Sequence, residues 1–236
     1  MLRDVDLKEI SDGRLYSAND LVKTDTGGCV NCGKCCHGMR ETIVLDPYDV
    51  YQFQAEKHWN FACLMQSGKI ELGLVDGLIL PHLKMSGPDE ACVFLDEAGR
   101  CSVHTCRPGF CRMYPMGRYY HDRDFSYIFQ TGECVKKNLS KIRVKKWLGI
   151  ANLPAYEDYI RGWHYFLRDL QEGLDERQRA EIQETGESAK TQELRSKVCM
   201  RILSVFFERG YAPGQDFYEQ IRERLKSCKE MLDLIC

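Results

Sequence analysis

Apolar positions fall into two regimes along the chain. From about residue 140 onward they recur with a helical period. Tyr156, Tyr159, Ile160, Trp163, Leu167 and Leu170 share one helical face. Leu194, Val198, Ile202, Val205 and Phe206 make a second stripe, with Gly210 placed to cap that helix at its C-terminus. Phe217, Ile221, Leu225, Cys228, Leu232 and Ile235 make a third. Apolar stripes of this kind are core faces. Before residue 140 the pattern is shorter and closer to a period of two. Asp46-Pro47 reads as a helix start, with Asp as N-cap and Pro at the first helical position. That helix is expected to reach about Lys57, with Val50, Phe53 and Gln54 turned inward. Apolar alternation on either side of Asp76-Gly77, over Lys69–Val75 and Leu78–Leu80, is a hairpin signal. A second hairpin is expected from Cys92–Leu95, over Asp96–Gly99, into Cys101–Val103. Phe125–Phe129 reads as one more strand. The expected fold is α+β: a small, loop-rich domain of short β-hairpins over residues 1–140, with a helical C-terminal region, 141–236, packed on it.

Length and charge change this picture little. A chain of 236 residues can bury a core without covalent staples. Its formal net charge of -2 gives no global attraction to nucleic acid or to an anionic membrane. No apolar run approaches the roughly 20 residues of a membrane helix. Charged residues alternate with apolar ones at the N-terminus, without the basic and apolar regions of a signal peptide. The expected location is cytoplasmic.

Cysteine changes the picture most. There are 13, an odd number, and most lie between Cys29 and Cys134. In a chain without an export signal such clustering points to metal ligation or redox chemistry rather than a disulfide framework. Thiolates are soft, charged donors suited to zinc and iron. The run Cys29-Val-Asn-Cys32-Gly-Lys-Cys35-Cys36 holds two overlapping Cys-x-x-Cys turns, and Gly27, Gly28 and Gly33 suit their tight backbone. Adjacent side chains diverge, so Cys35 and Cys36 are expected to serve different metals or different corners of one assembly. A ferredoxin pattern fails at Met39, where the fourth cysteine would stand. The His pair of a C₂H₂ finger is also missing. Further ligands are sought among Cys92, Cys101, Cys106, Cys111 and Cys134. Arg107 and Arg112 flank Cys111, where they can donate hydrogen bonds near sulfur and offset its charge. Cys199 and Cys228 read as small buried hydrophobes, and Cys236 as an unremarkable terminal residue.

These residues carry a resemblance. Cys29-Val-Asn-Cys32-Gly-Lys-Cys35-Cys36, Cys92-Val-Phe-Leu-Asp, Gly99-Arg-Cys101-Ser-Val-His, Arg107-Pro-Gly-Phe-Cys111-Arg-Met-Tyr-Pro115 and Glu133-Cys134 stand in the order of the YkgJ-type cysteine-cluster family, also called CxxCxxCC. The resemblance implies zinc or iron chelation. It implies Cys29, Cys32, Cys35, Cys36, Cys92, Cys101, Cys111 and Cys134 as ligands. Cys106 ranks below these eight, and Cys63 falls outside the pattern as a structural residue. His37 and His104 stay open as ligands, with His82 and His121 further away. Eight thiolates suit two four-cysteine zinc sites, or an iron–sulfur cluster plus a zinc.

Three functions follow. The first is a metal-binding protein holding an iron–sulfur cluster or zinc, with a structural or redox role; a closed thiolate site has no open position for substrate. The second is a cluster-dependent lysine N-methylase resembling flagellin N-methylase, which would imply S-adenosylmethionine; no strand followed by a Gly-x-Gly loop is present to cradle that donor. The third is a zinc-dependent nucleic-acid-binding module using the basic run Lys136–Lys146. The overall charge disfavours nucleic acid, a membrane is not expected, and a protein partner is left open. Whether the chain is an enzyme is not written in its motifs.

Overall fold

The computed structural model describes residues 6–25, 29, 32–136, 138–212 and 214–235. Gly27, Gly28 and Cys236, singled out above, lie outside them. The fold is α+β. The described strands are short: β1 (Leu21–Asp25), β2 (Ile70–Val75), β3 (Leu78–Leu83), β4 (Met85–Ser86), β5 (Ala91–Cys92), β6 (Met116–His121), β7 (Asp124–Phe129) and β8 (Ser140–Arg143). They pair two by two, β1 with β8, β2 with β3, β4 with β5 and β6 with β7.

The described residues form two compact units, and each draws on the chain twice. One joins Asp46–Pro81 to the helices from Ala155 onward; the other joins the described residues of Leu2–Leu45 to His82–Pro154. In the first, Pro47–Lys57 is a helix closed by a reciprocal capping box, Asp46 with Asp49. Val50 and Phe53 are buried on it. Gln54 also turns inward, donating to the Tyr211 carbonyl at 2.9 Å. The β2–β3 hairpin turns on Asp76 and Gly77, both with positive φ, the conformation a two-residue turn of this hand requires. The long helix Leu153–Thr185 buries Tyr156, Tyr159, Ile160, Trp163, Leu170 and Leu174. Leu167 is half-buried at the edge of that stripe. Trp163 meets Phe206 edge-on at 4.9 Å. Cys199 and Cys228 are buried, as small hydrophobes are.

Gly210 does not cap its helix. The helix Ala189–Ile202 runs into a π-helical segment, Leu203–Glu208, and ends with Arg209 extended. The freed carbonyls are met by a side chain instead. Arg224, buried on the helix Phe217–Ser227, donates to the carbonyls of Val205 at 2.8 Å, Arg209 at 2.6 Å and Gly210 at 2.6 Å. Its guanidinium lies 3.8 Å from the centroid of the Tyr211 ring. With its carbonyls satisfied this way, the helix end has no need of a left-handed glycine.

The second unit is closed by a pairing between distant segments. β1 and β8 run antiparallel, with Leu21 opposite Arg143 and Val22 opposite Ile142. The amides of Val144 and Lys145 extend the pairing to the carbonyls of Asp20 and Ala18. Val22 and Val144 are fully buried beneath it. Upstream, Tyr16 exchanges backbone hydrogen bonds with Tyr127 of β7 at 2.8 and 2.9 Å. The second expected hairpin is only partly realised. Cys92 on β5 pairs with Met85 of β4, and the return segment makes one bridge, Leu95 with Cys101. Among the described residues no helix is long and apolar enough to cross a membrane.

Candidate metal centre

Three tight loops of the second unit bring its cysteines together. The first is the 3₁₀ turn Lys34–Cys36, entered through Gly33 in the left-handed conformation with φ 77°. A Cβ at Gly33 would stand 2.6 Å from the Gly99 carbonyl oxygen, so only glycine fits between the two loops. The chain leaves this turn tied to the start of β5: His37 bridges Ala91, and the Gly38 amide donates to the Glu90 carbonyl at 3.1 Å. The second loop is organised by Asp96, whose carboxylate accepts from the amides of Ala98 at 3.0 Å and Arg100 at 2.8 Å. It sets Cys92 and Cys101 on its two arms. The third is Arg107–Tyr114, where Arg112 donates to the Thr105 carbonyl at 2.9 Å and Trp147 to the Met113 carbonyl at 3.1 Å. Cys111 lies on its short helix, Gly109–Met113. Tyr114 donates to the carbonyl of Glu133, the residue before Cys134.

Cys29, Cys32, Cys35, Cys36, Cys92, Cys101, Cys111 and Cys134 all line one cavity. Its volume is about 50 Å³. One water needs about 10–15 Å³ on this measure, so several atoms the size of a metal ion or sulfide fit. Its other walls are apolar, with Phe94 and Val103 among them, and its lining cations are Lys34, Arg107 and Lys136. Cys36 and Cys92 are buried, while Cys29 and Cys32 face solvent at the rim. Among the described residues, no three of His, Cys, Asp and Glu converge on one ion-sized point. The eight sulfurs surround a space rather than a single position.

Cys35 and Cys36 both line this cavity. Their thiols are hydrogen-bonded to each other, and Cys36 is also bonded to Cys101. The adjacent pair meets because the 3₁₀ turn curls both residues against the cavity wall. Cys36, as the hydrogen-bond partner that can give its one S–H to either sulfur, draws Cys35 and Cys101 each down to about 7; the Arg107 charge adds to this at Cys35, and the Val103 amide and then Arg107 add to it at Cys101. The proton is kept on Cys36, which is pushed up by its bonds to Cys101 and Cys35. Burial pushes Cys92 up.

Arg107 is the cation most deeply engaged. One guanidinium nitrogen, Nη1, bonds His104 Nε2. Its Nε is buried with no partner among the described residues. A buried N–H at a wall of sulfur donors suits an anionic inorganic group, whose thiolates or sulfides accept such bonds. The donor set and this orphaned donor both fit zinc or iron.

The remaining candidates divide clearly. His104 lines the cavity, with Nε2 3.4 Å from Cys29 Sγ. His37 is exposed. His82 is buried with Nδ1 3.1 Å from the Leu83 carbonyl. His121 bonds Ser126 Oγ at 3.0 Å. Cys106 is fully buried outside the cavity lining, and Cys63 is exposed on the helix Phe61–Gln66. Tyr114 and Trp147 line the cavity without having been singled out as site residues. Tyr114 lies inside the Arg107–Pro115 motif, which marked it; Trp147 had no signal beyond following a basic run.

Residues 28–135 match the family model CxxCxxCC, described as "Putative zinc- or iron-chelating domain". The segment is similar to that domain. It covers somewhat less than half of the chain and contains all eight cavity cysteines. No curated protein and no solved structure matches the chain. The matched segment is bracketed by β1 before it and β8 after it, so the clasp that closes the unit lies just outside the matched residues.

Proposed function

We propose that the matched segment holds an iron–sulfur cluster in the cavity lined by the eight cysteines, in a structural or redox role. One observation carries this reading: eight sulfurs line a single cavity with room for several atoms. A polynuclear cluster spreads its iron atoms over such a space, each meeting its own thiolate. Arg107 would donate to cluster sulfur, and Lys34 and Lys136 would offset its charge.

Anaerobically purified protein tests this by iron, zinc and acid-labile sulfide analysis with an absorption spectrum. Iron with matching sulfide and visible charge-transfer absorption is the expected result. Colourless protein with about two zinc per chain would replace the cluster by two four-cysteine zinc sites. Absence of all three would overturn metal binding itself.

A further inference from the structure

His104 stands apart from the other histidines. It is half-buried, it lines the same cavity as the cysteines, and its Nε2 lies 3.4 Å from Cys29 Sγ. Metal–sulfur and metal–nitrogen bonds of roughly 2.3 and 2.05 Å at a tetrahedral angle give a sulfur–nitrogen edge of about 3.6 Å. The observed spacing is close to that edge. The nitrogen has the right electronic character. Arg107 Nη1 bonds the same Nε2, and arginine only donates, so Nε2 carries a lone pair rather than a proton.

From this geometry we infer that His104 is a metal ligand through Nε2, sharing one metal position with Cys29 at the rim of the cavity. The inference rests on the metal reading above and goes beyond its eight thiolates. A metal at this position replaces the Arg107 N–H as the partner of the Nε2 lone pair. Nη1 is then free to join Nε in donating to sulfur. The position differs chemically from an all-thiolate one. Imidazole is neutral, so exchanging one thiolate for it leaves the metal less negative, and where iron is the metal its reduced form is favoured.

Pulsed EPR of the reduced, metal-loaded full chain tests the assignment, with cobalt substituted if the metal proves to be zinc. The expected result is a strong coupling to directly bound nitrogen that disappears in His104→Ala while metal remains bound. His104→Gln, which keeps an acceptor for Arg107, serves as a second variant should His104→Ala fail to fold, and it too should lose the coupling. Wild-type protein with bound metal and no such coupling would overturn the inference and leave the metal reading standing. So would a coupling that survives both substitutions, since another nitrogen would then be the ligand. Protein without metal would overturn both readings together.

Discussion

The two compact units handle their interiors in different ways. The helical unit fills its interior: Leu64, Leu170, Leu174, Ile202 and Phe206 have no measurable exposure, and aromatic rings interlock from Tyr48 to Phe217. The cysteine unit also has buried residues, Ile43, Phe94, Val103 and Met116 among them. It nevertheless leaves a cavity between its loops and turns eight thiols toward it. A close-packed interior is held by many small contacts made at once. An interior arranged around donor atoms depends on what the donors hold. The first should unfold by losing side chains, and the second by losing its inorganic centre.

The largest effect expected is therefore from metal removal. Chelation should cost the cysteine unit on the order of 10 kcal/mol, the scale of structural metal in small domains. Hydrogen exchange should speed up in β1, β6, β7 and β8 while the helix Leu153–Thr185 stays protected. Equal protection in both units after chelation would show that the cysteine unit stands on its apolar residues alone. The converse perturbation is Leu174→Ala, a cavity in the helical unit that should cost about 2–5 kcal/mol by denaturant titration. Metal content should not change; a fall in metal would break the separation. Gly33→Ala forces a Cβ against Gly99 and strains a left-handed residue, at about 1–3 kcal/mol. Here metal content should fall with stability, and full metal loading would show that the two loops can part without harm to the site. Asp46→Ala removes a capping box in the helical unit for about 1 kcal/mol, read as a small drop in the unfolding midpoint.

The smallest effect concerns protons in the metal-free state. Cys35 and Cys101 are drawn down to about 7, so their thiolates form as pH rises through that value. Thiolate is the reactive form. Mass-mapped alkylation of metal-free protein should accelerate at these two residues near pH 7. Cys36 and Cys92, both pushed up, should lag well into alkaline pH. Uniform alkylation of all four across this range would contradict the hydrogen-bonded trio.

Signals written within a few residues of each other are legible in the chain itself. Asp46-Pro47 announces its helix, Asp76-Gly77 its hairpin, and the stripe from Tyr156 to Leu170 its buried face. The cysteines are legible because their spacing is itself chemical. What stays hidden depends on distant partners. β1 reads Leu-Val-Lys-Thr-Asp and β8 reads Ser-Lys-Ile-Arg, too short and too polar to declare a period. Cys92 takes Met85 as its strand partner rather than Cys101, because a two-residue strand carries no register of its own. The change at residue 140 marks where helices dominate. It does not mark that residues 46–81 cluster with those helices, since nothing local distinguishes one helix's neighbours from another's. Arg224 looks like one more charge on an amphipathic helix, and only the π-helical segment it faces explains its burial.

The antiparallel pair β1–β8 also sets the entropy of the cysteine unit. It ties Asp25 to Ser140, enclosing roughly a hundred residues, and closing a loop of that length costs about 4 kcal/mol beyond a fixed term. Cys29 and Cys134 lie just inside the two ends, so with the clasp shut the first and last donors are already neighbours in the chain's closed form. A metal arriving then need not gather them from across a random coil. A fragment trimmed to residues 28–135 would carry every cavity cysteine and still lose this advantage, because its metal would have to close the loop unaided.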